Sequence, residues 1–394
     1  MSGGAFFFTT REEIAKMRRL YAYSFLNGLQ FTYTTWLAFV ILRGGNPGWA
    51  EAFYHLGILV SEIPTGAVAD LFGRRTSMLV GLLVSAAVSA GYFFIHGTAA
   101  ACALMFISGL ASTFMSGADT ALLYETAAAE GGAEYAQKAM ARANALMIGA
   151  LALAPALAGF MYQWNPVIPS VAKGITSLIT FAVVWGVKDR KPDHKEGRPG
   201  IITQTVAAVR VVRGNRLALT LILFGWVYNT AISMAGQFAQ AYLPYMGMAM
   251  GGAGIVFALS QGMGTVGSNL AERLSRVTAG RVLRFGPLLV ATCFVLMGFA
   301  GAMGAAAALV GAGCMILAGV ADGVIYPIHS YRLNEAIPSE QRATILSMHS
   351  AGFSMFMTIT FPAASYLPIP AIYLTTGLVA VVAAVIWMAR RWSY

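Results

Sequence analysis

Charge is what this chain has least of. Only 11% of its 394 residues are Asp, Glu, Lys or Arg, against roughly 25% in soluble domains. Hydrophobic residues make up 58%, more than a soluble core could absorb, so the solvent for most of the chain is lipid. Cysteine is scarce as well. Cys102, Cys293 and Cys314 are an odd number, all in apolar segments and without zinc-ligand spacing, so neither a disulfide framework nor a metal site is expected. No GxxxxGK[ST] phosphate loop, no HExxH and no soluble catalytic domain is visible. That argues against an ATP-driven pump, a protease or any other enzyme, and no cofactor is expected. Residues 1–19 are polar and basic without a small-residue cleavage site, so no cleavable signal is expected.

What the chain has is apolar length. Twelve stretches stand out: 20–42, 50–69, 76–95, 99–123, 139–162, 167–187, 217–242, 252–270, 282–302, 305–328, 343–366 and 369–388. Most reach the ~20 residues that cross a bilayer as helix. The basic residues fall in alternate loops. Twenty-four of the 26 Lys and Arg lie in the first arm, the central linker, the tail and the loops after stretches two, four, eight and ten. Only Arg43 and Lys173 are left for the other side. The positive-inside rule then puts both termini in the cytoplasm, with the protein in the inner (plasma) membrane. The net charge of +10 orients the chain in its bilayer; no nucleic acid partner is expected.

Residues 188–200 are the one markedly polar break, with Pro192, Pro199 and a charge cluster. The division expected is an amino-terminal six-helix bundle (1–187), a linker (188–216) and a carboxy-terminal six-helix bundle (217–394). Residues 201–213 read either as an amphipathic helix on the inner surface or as a domain-docking helix. The halves echo each other. Ala69-Asp70-Leu71-Phe72-x-Arg74 returns as Ala271-Glu272-Arg273-Leu274-x-Arg276, Ala118-Asp119 as Ala321-Asp322, and Arg142 as Arg342, all at offsets of roughly 200 residues. Such parallel repeats fit an axis normal to the membrane.

The turn after the second stretch carries Gly66-x-x-x-Asp70-x-x-Gly73-Arg74-Arg75. This pattern resembles the loop between helices two and three of the major facilitator superfamily, with Leu71 where the family has a basic residue. Gly149, Pro155 and Gly159 resemble the glycine-proline motif of the family's drug exporters, with Ala154 and Ala158 in place of glycines. Asp322-Gly-Val-Ile-Tyr-Pro, followed by Leu333-Asn334-Glu335 and by Arg342-Ala-Thr, is similar to bacterial drug:proton antiporter-like members. The family's basic residue early in helix four is absent. The resemblance covers essentially the whole chain. It implies an all-α membrane protein of twelve transmembrane helices in two pseudo-symmetric six-helix bundles. The function implied is secondary active transport by alternating access, as a monomer, of a small molecule coupled to protons. Export of an amphipathic molecule is the leading expectation; uptake or export of a metabolite or siderophore is the alternative. Gly66, Asp70, Gly73, Arg74 and Arg75 would form a cytoplasmic gate.

Carboxylates inside apolar segments are expensive and usually functional. Glu62 and Asp119 are therefore candidate proton carriers, or else members of buried ion pairs with a loop cation such as Arg142. Asp322 and His329 share a face of helix ten and form either a titrating pair or a structural one. Asn27, Gln30, Phe31 and Thr34 on helix one are candidate substrate contacts, as are Trp226, Asn229 and Ser233 on helix seven, on one stripe with Gln240 and with Gln237 at its edge, and Tyr326 on helix ten. The competing reading is interhelical packing or hydrated lining.

Overall fold

The computed structural model describes residues 11–187, 209–274, 276–338 and 341–388. Helices account for nearly all of them, with no strand among the described residues. The expected surface helix over 201–213 and the linker over 188–216 lie largely outside them; residues 209–214 are helical. The first crossing is two helices, α1 (Arg11–Gly28) and α2 (Trp36–Leu42), joined by turns. Then come α3 (Pro47–Phe72), α4 (Arg74–Gly91), α5 (Gly97–Met115), α6 (Ala118–Trp164) and α7 (Ile168–Trp185). The second half holds α8 (Arg216–Tyr245), α9 (Met250–Ala271), α10 (Arg276–Phe299), α11 (Ala307–Ala336), α12 (Arg342–Ala364) and α13 (Ile369–Met388).

Local chemistry sets several of these boundaries. Asn46 starts α3 by accepting hydrogen bonds from the Gly48 and Trp49 N–H groups at 2.8 and 3.2 Å, with Pro47 at the first helical position. Gly73 separates α3 from α4 with φ 92°, a value that disfavours any side chain. In α6, Gly131 and Gly132 leave helical geometry, so 47 residues complete the fourth crossing, turn, and make the fifth. Two expected helices are broken. The first crossing opens at 29–35, where Thr32, Thr34 and Thr35 cluster. The fourth breaks at Ser116–Gly117 (Gly117 φ 77°), which puts Asp119 at the start of a new helix.

Pairing follows the repeat. Helix α3 lies along α5 in the first half as α9 lies along α11 in the second, and α4 with α7 as α10 with α13. Both repeats use glycine to bring backbones together: Gly57 against Phe106 and Gly109 against Tyr54, then Gly267 against Val320 and Gly323 against Gly264. The halves meet through α3 on α12 and α6 on α9. Six helical segments meet a strict apolar-span criterion, and two of these are long enough for two crossings. Helices α1–α2, α3, α9 and α12 fall short of it. Of these, α3, α9 and α12 carry the main contacts between the halves, whereas α1 packs on α6 and α7 of its own half.

Candidate functional site

The interface between the halves is tight at one end and open at the other. At the end bearing Arg43 and Lys173, Gly159 and Gly254 stack backbone on backbone, with the Pro155 carbonyl against Gly254. The Gly251 N–H donates to Gln163 Oε1 at 3.3 Å. Gly48 meets Phe361 and Ser365 equally closely, and the Trp49 indole donates to the Tyr366 hydroxyl at 2.9 Å. A buried polar cluster completes the seal. Gln240, 1% exposed, accepts from Leu37 N–H at 2.9 Å and donates to the Tyr33 carbonyl at 2.9 Å. Gln237 accepts from the Trp36 indole at 3.1 Å.

The basic end diverges. Gly149 and Gly66 have open space where a side chain would stand, and Leu71 and Phe72 are about two-thirds exposed. Arg74 pairs with Glu125 of its own half at 2.8 Å, and Arg75 binds the Val184 and Trp185 carbonyls while lying over the Trp185 ring. Gly73 makes the turn. Asp70 is exposed and has no hydrogen bond or ion pair among the described residues. None of these contacts crosses between the halves.

Between the two ends lies a cavity of about 580 Å³, lined from both halves. Its polar lining includes Tyr33, Asn144, Ser233, Gln261, Asn269 and Tyr326. Its charged lining is Asp322 and Glu272, with no Lys, Arg or His among the lining residues. The buried Tyr228 ring sits beside Asp322, and no cation pairs with Asp322 among the described residues. A second cavity of about 270 Å³ lies against the seal and shares Tyr33 and Ser233 with the first. Gln30, Gln237, Glu51 and His55 line it.

The remaining candidates scatter in an instructive way. Glu62 is exposed in the protein, on the face of α3 that also carries Glu51 and His55; an 11-residue offset brings a helix back within about 20°. Asp119 accepts from the Tyr23 hydroxyl at 3.2 Å and caps the Thr120 N–H at the start of α6, and Arg142 is not its partner. His329 and Asp322 do not form the pair expected from their shared face. Seven residues span roughly 10 Å of helix, and His329 instead binds the Leu221 carbonyl at 2.8 Å within the buried second half. The Trp226 indole donates to the His349 carbonyl at 2.8 Å and packs on Gly352. Asn229 is half-buried, and neither of these cavities includes it. Phe31 packs on Ala154 and Ala158. Thr34 is buried with its hydroxyl unpaired, as is the side-chain oxygen of Asn27. Sequence reasoning missed Glu51 and His55; Gln240 it placed on the helix-seven stripe as ligand contact or hydrated lining, where the structure has it bridging the halves. The Glu-x-x-x-His spacing at the start of an apolar stretch was the available signal for the first two.

Two helical halves that enclose a central cavity, sealed at one end and open at the other, define a membrane transporter. The profile of the Major Facilitator Superfamily matches residues 20–317, and the chain belongs to that family, whose members carry solutes and are not enzymes. It is a multi-pass membrane protein. Two relatives from Bacillus subtilis (strain 168) are described as uncharacterized MFS-type transporters. YxaM is 22% identical over 348 residues, spanning 85% of this chain and 84% of that protein. YceJ is 24% identical over 331 residues, spanning 81% and 79%. Among solved structures, the nucleoside transporter NupG superposes with a TM-score of 0.75 at 13% identity over 96% of this chain and 99% of that one. A D-xylose-proton symporter gives 0.72 at 15% identity over 94% and 97%. A bacterial ferroportin homologue in an inward-facing state gives 0.69 at 16% identity over 97% and 100%. At such identities these structures establish the fold alone.

Proposed function

We propose that this transporter exports a small amphipathic molecule in exchange for protons, with the basic face in the cytoplasm and the monomer as the working unit. The observation that carries this reading is the lining of the larger cavity: amides, hydroxyls, aromatic rings and two carboxylates, with no basic side chain. A space of about 580 Å³ lies within the range that holds drug-sized ligands. Carboxylates without cationic partners favour a neutral or cationic solute over an anionic one. Asp322 is the carboxylate best placed to exchange a proton for such a solute, because both would occupy the same cavity. Glu62 and Asp119 stand nearer the basic face and are proposed as the route by which the proton leaves. Gly66, Asp70, Gly73, Arg74 and Arg75 are proposed to close that face when the opposite seal opens. Gln30, Ser233, Gln237 and Tyr326 are the proposed solute contacts from the original candidates. The other candidates are assigned to packing around the cavity.

Cells expressing the protein should accumulate less of a cationic dye than cells without it, and a protonophore should abolish the difference. Dye accumulation that rises with expression would instead select uptake.

A further inference from the structure

The transport reading leaves unused a pair of thiols buried inside the second half. Helices α10 and α11 form an antiparallel hairpin, joined by a short 3-10 helix at Ala300–Ala306. Two contacts set its register. Gly286 of α10 packs against Ile325 of α11. Farther along, Tyr242 of α8 straddles both helices, its hydroxyl donating to the Met297 carbonyl at 2.9 Å while its ring lies on Gly311. Cys293 stands one turn before Met297 and Cys314 one turn after Gly311, so both fall at one level between those contacts. There the two thiols meet. They are 2% and 9% exposed, and both are free of disulfides. The larger cavity is close by. Phe294 and Met297 on α10 and Met315 on α11, each within about a turn of a thiol, line it.

We propose that Cys293 and Cys314 form a dithiol site that captures trivalent arsenicals carrying one carbon substituent, reached from the larger cavity. The surroundings select that class. Two thiolates bring two negative charges, and no Lys, Arg or His lines the cavity beside them. An adduct with net charge would be enclosed unpaired, which is far costlier than enclosing a neutral one. A soft monovalent ion leaves one charge over. Zinc balances both charges but takes four ligands, and no group of three His, Cys, Asp or Glu stands together among the described residues. An arsenic(III) centre with one carbon substituent takes two thiolates and comes out uncharged. No redox partner is needed. For an oxide R–As=O, two S–H bonds break and two As–S bonds form. The oxygen leaves with both protons as water, and arsenic stays trivalent. Such an oxide is uncharged and the cavity opens at the basic end, so the flexible thioethers of Met297 and Met315 are what must move to admit it. The adduct then ties α10 to α11, the helix that carries Asp322 and Tyr326 of the cavity wall, and transport should stop.

The test treats full-length protein in lipid nanodiscs with phenylarsine oxide and reads the intact mass after free reagent is removed. Each chain should gain one phenylarsenic less two hydrogens, and 1,2-ethanedithiol should strip it. C293S and C314S should each weaken capture by about 100-fold or more, the gain in effective concentration that a second thiol on the same scaffold supplies. C102S should capture as the unmodified chain does. No adduct on the unmodified chain, or capture undiminished in the single variants, overturns the proposal; should one variant fail to fold, the other decides. Capture does not depend on the direction or coupling of transport, and a dye assay keeps the claims apart. Phenylarsine oxide should arrest dye export by the unmodified chain and spare C293S. Export that continues with the adduct in place would overturn the effect on transport. A chain that takes the adduct but moves no dye even untreated would end the export reading and leave the dithiol site standing.

Discussion

The two ends of the same helix pairs differ more than their sequences suggest. Helices α6 and α9 touch backbone to backbone at Gly159 and Gly254, yet ten residues earlier Gly149 faces open space. Helices α3 and α12 repeat this: Gly48 is pressed against Phe361, while Gly66 touches nothing. The difference teaches that glycine serves two purposes in one helix. At the sealed end it permits contact in this state. At the open end it leaves space that the proposed rocking of the halves would fill.

The largest effect should come from Gly159→Leu. Its side chain would meet the Met250 carbonyl and Gly254 backbone, and overpacking of this kind costs about 1–3 kcal/mol. Dye transport should fall about tenfold or more, with the purified protein still monodisperse. Asp322→Asn should come next: energised transport lost, but exchange of labelled solute between equal concentrations retained. Loss of both would assign Asp322 to structure. Gln240→Ala removes two hydrogen bonds between the halves, each worth about 1 kcal/mol. Thiol reagents applied to the sealed side should then label a cysteine at Ser233 several-fold faster. Gly66→Ala should leave thermal stability within about 0.5 kcal/mol, as at other open positions, while slowing transport if the basic face closes over it. Equal transport would remove Gly66 from the gate.

The smallest effect lies outside the membrane. Lys138 donates to Glu134 at 2.7 Å on an exposed turn, and that hydrogen bond holds the Glu134 carboxyl below the usual range. Its contribution is complete above the ordinary glutamate pKa and disappears as pH falls through the depressed value. Glu134→Gln should therefore remove that small contribution at neutral pH, where it is complete, and change nothing in acid, so any acid-side loss of stability narrows only slightly.

Fold class was legible because it rests on long apolar runs and on the placement of Lys and Arg, which a bilayer constrains residue by residue. The repeat was legible from Asp70 and Glu272, whose positions recur on α3 and α9. Breaks were harder. The openings at 29–35 and at Gly117 sit inside stretches whose hydropathy alone reads as continuous helix, because lipid-facing neighbours mask a local turn. Same-face reasoning put Asp322 with His329 although seven residues, two helical turns, separate them, and it could not see that Leu221 supplies a nearer acceptor. Glu51 was overlooked for a related reason. It lies at the start of its stretch, where a charge is cheap in an isolated helix, and only the second half of the molecule buries it.

The central claim is that sealing one end and opening the other are a single motion. Paired distances test it most directly: labels at Leu71→Cys and Tyr331→Cys report the basic face, and those at Leu42→Cys and Leu367→Cys the sealed one. When a transported dye or a pH step shifts the population, the first distance should shorten as the second lengthens, with one midpoint for both. A basic-face distance that stays fixed while the seal opens, or two distances that grow together, would contradict the account.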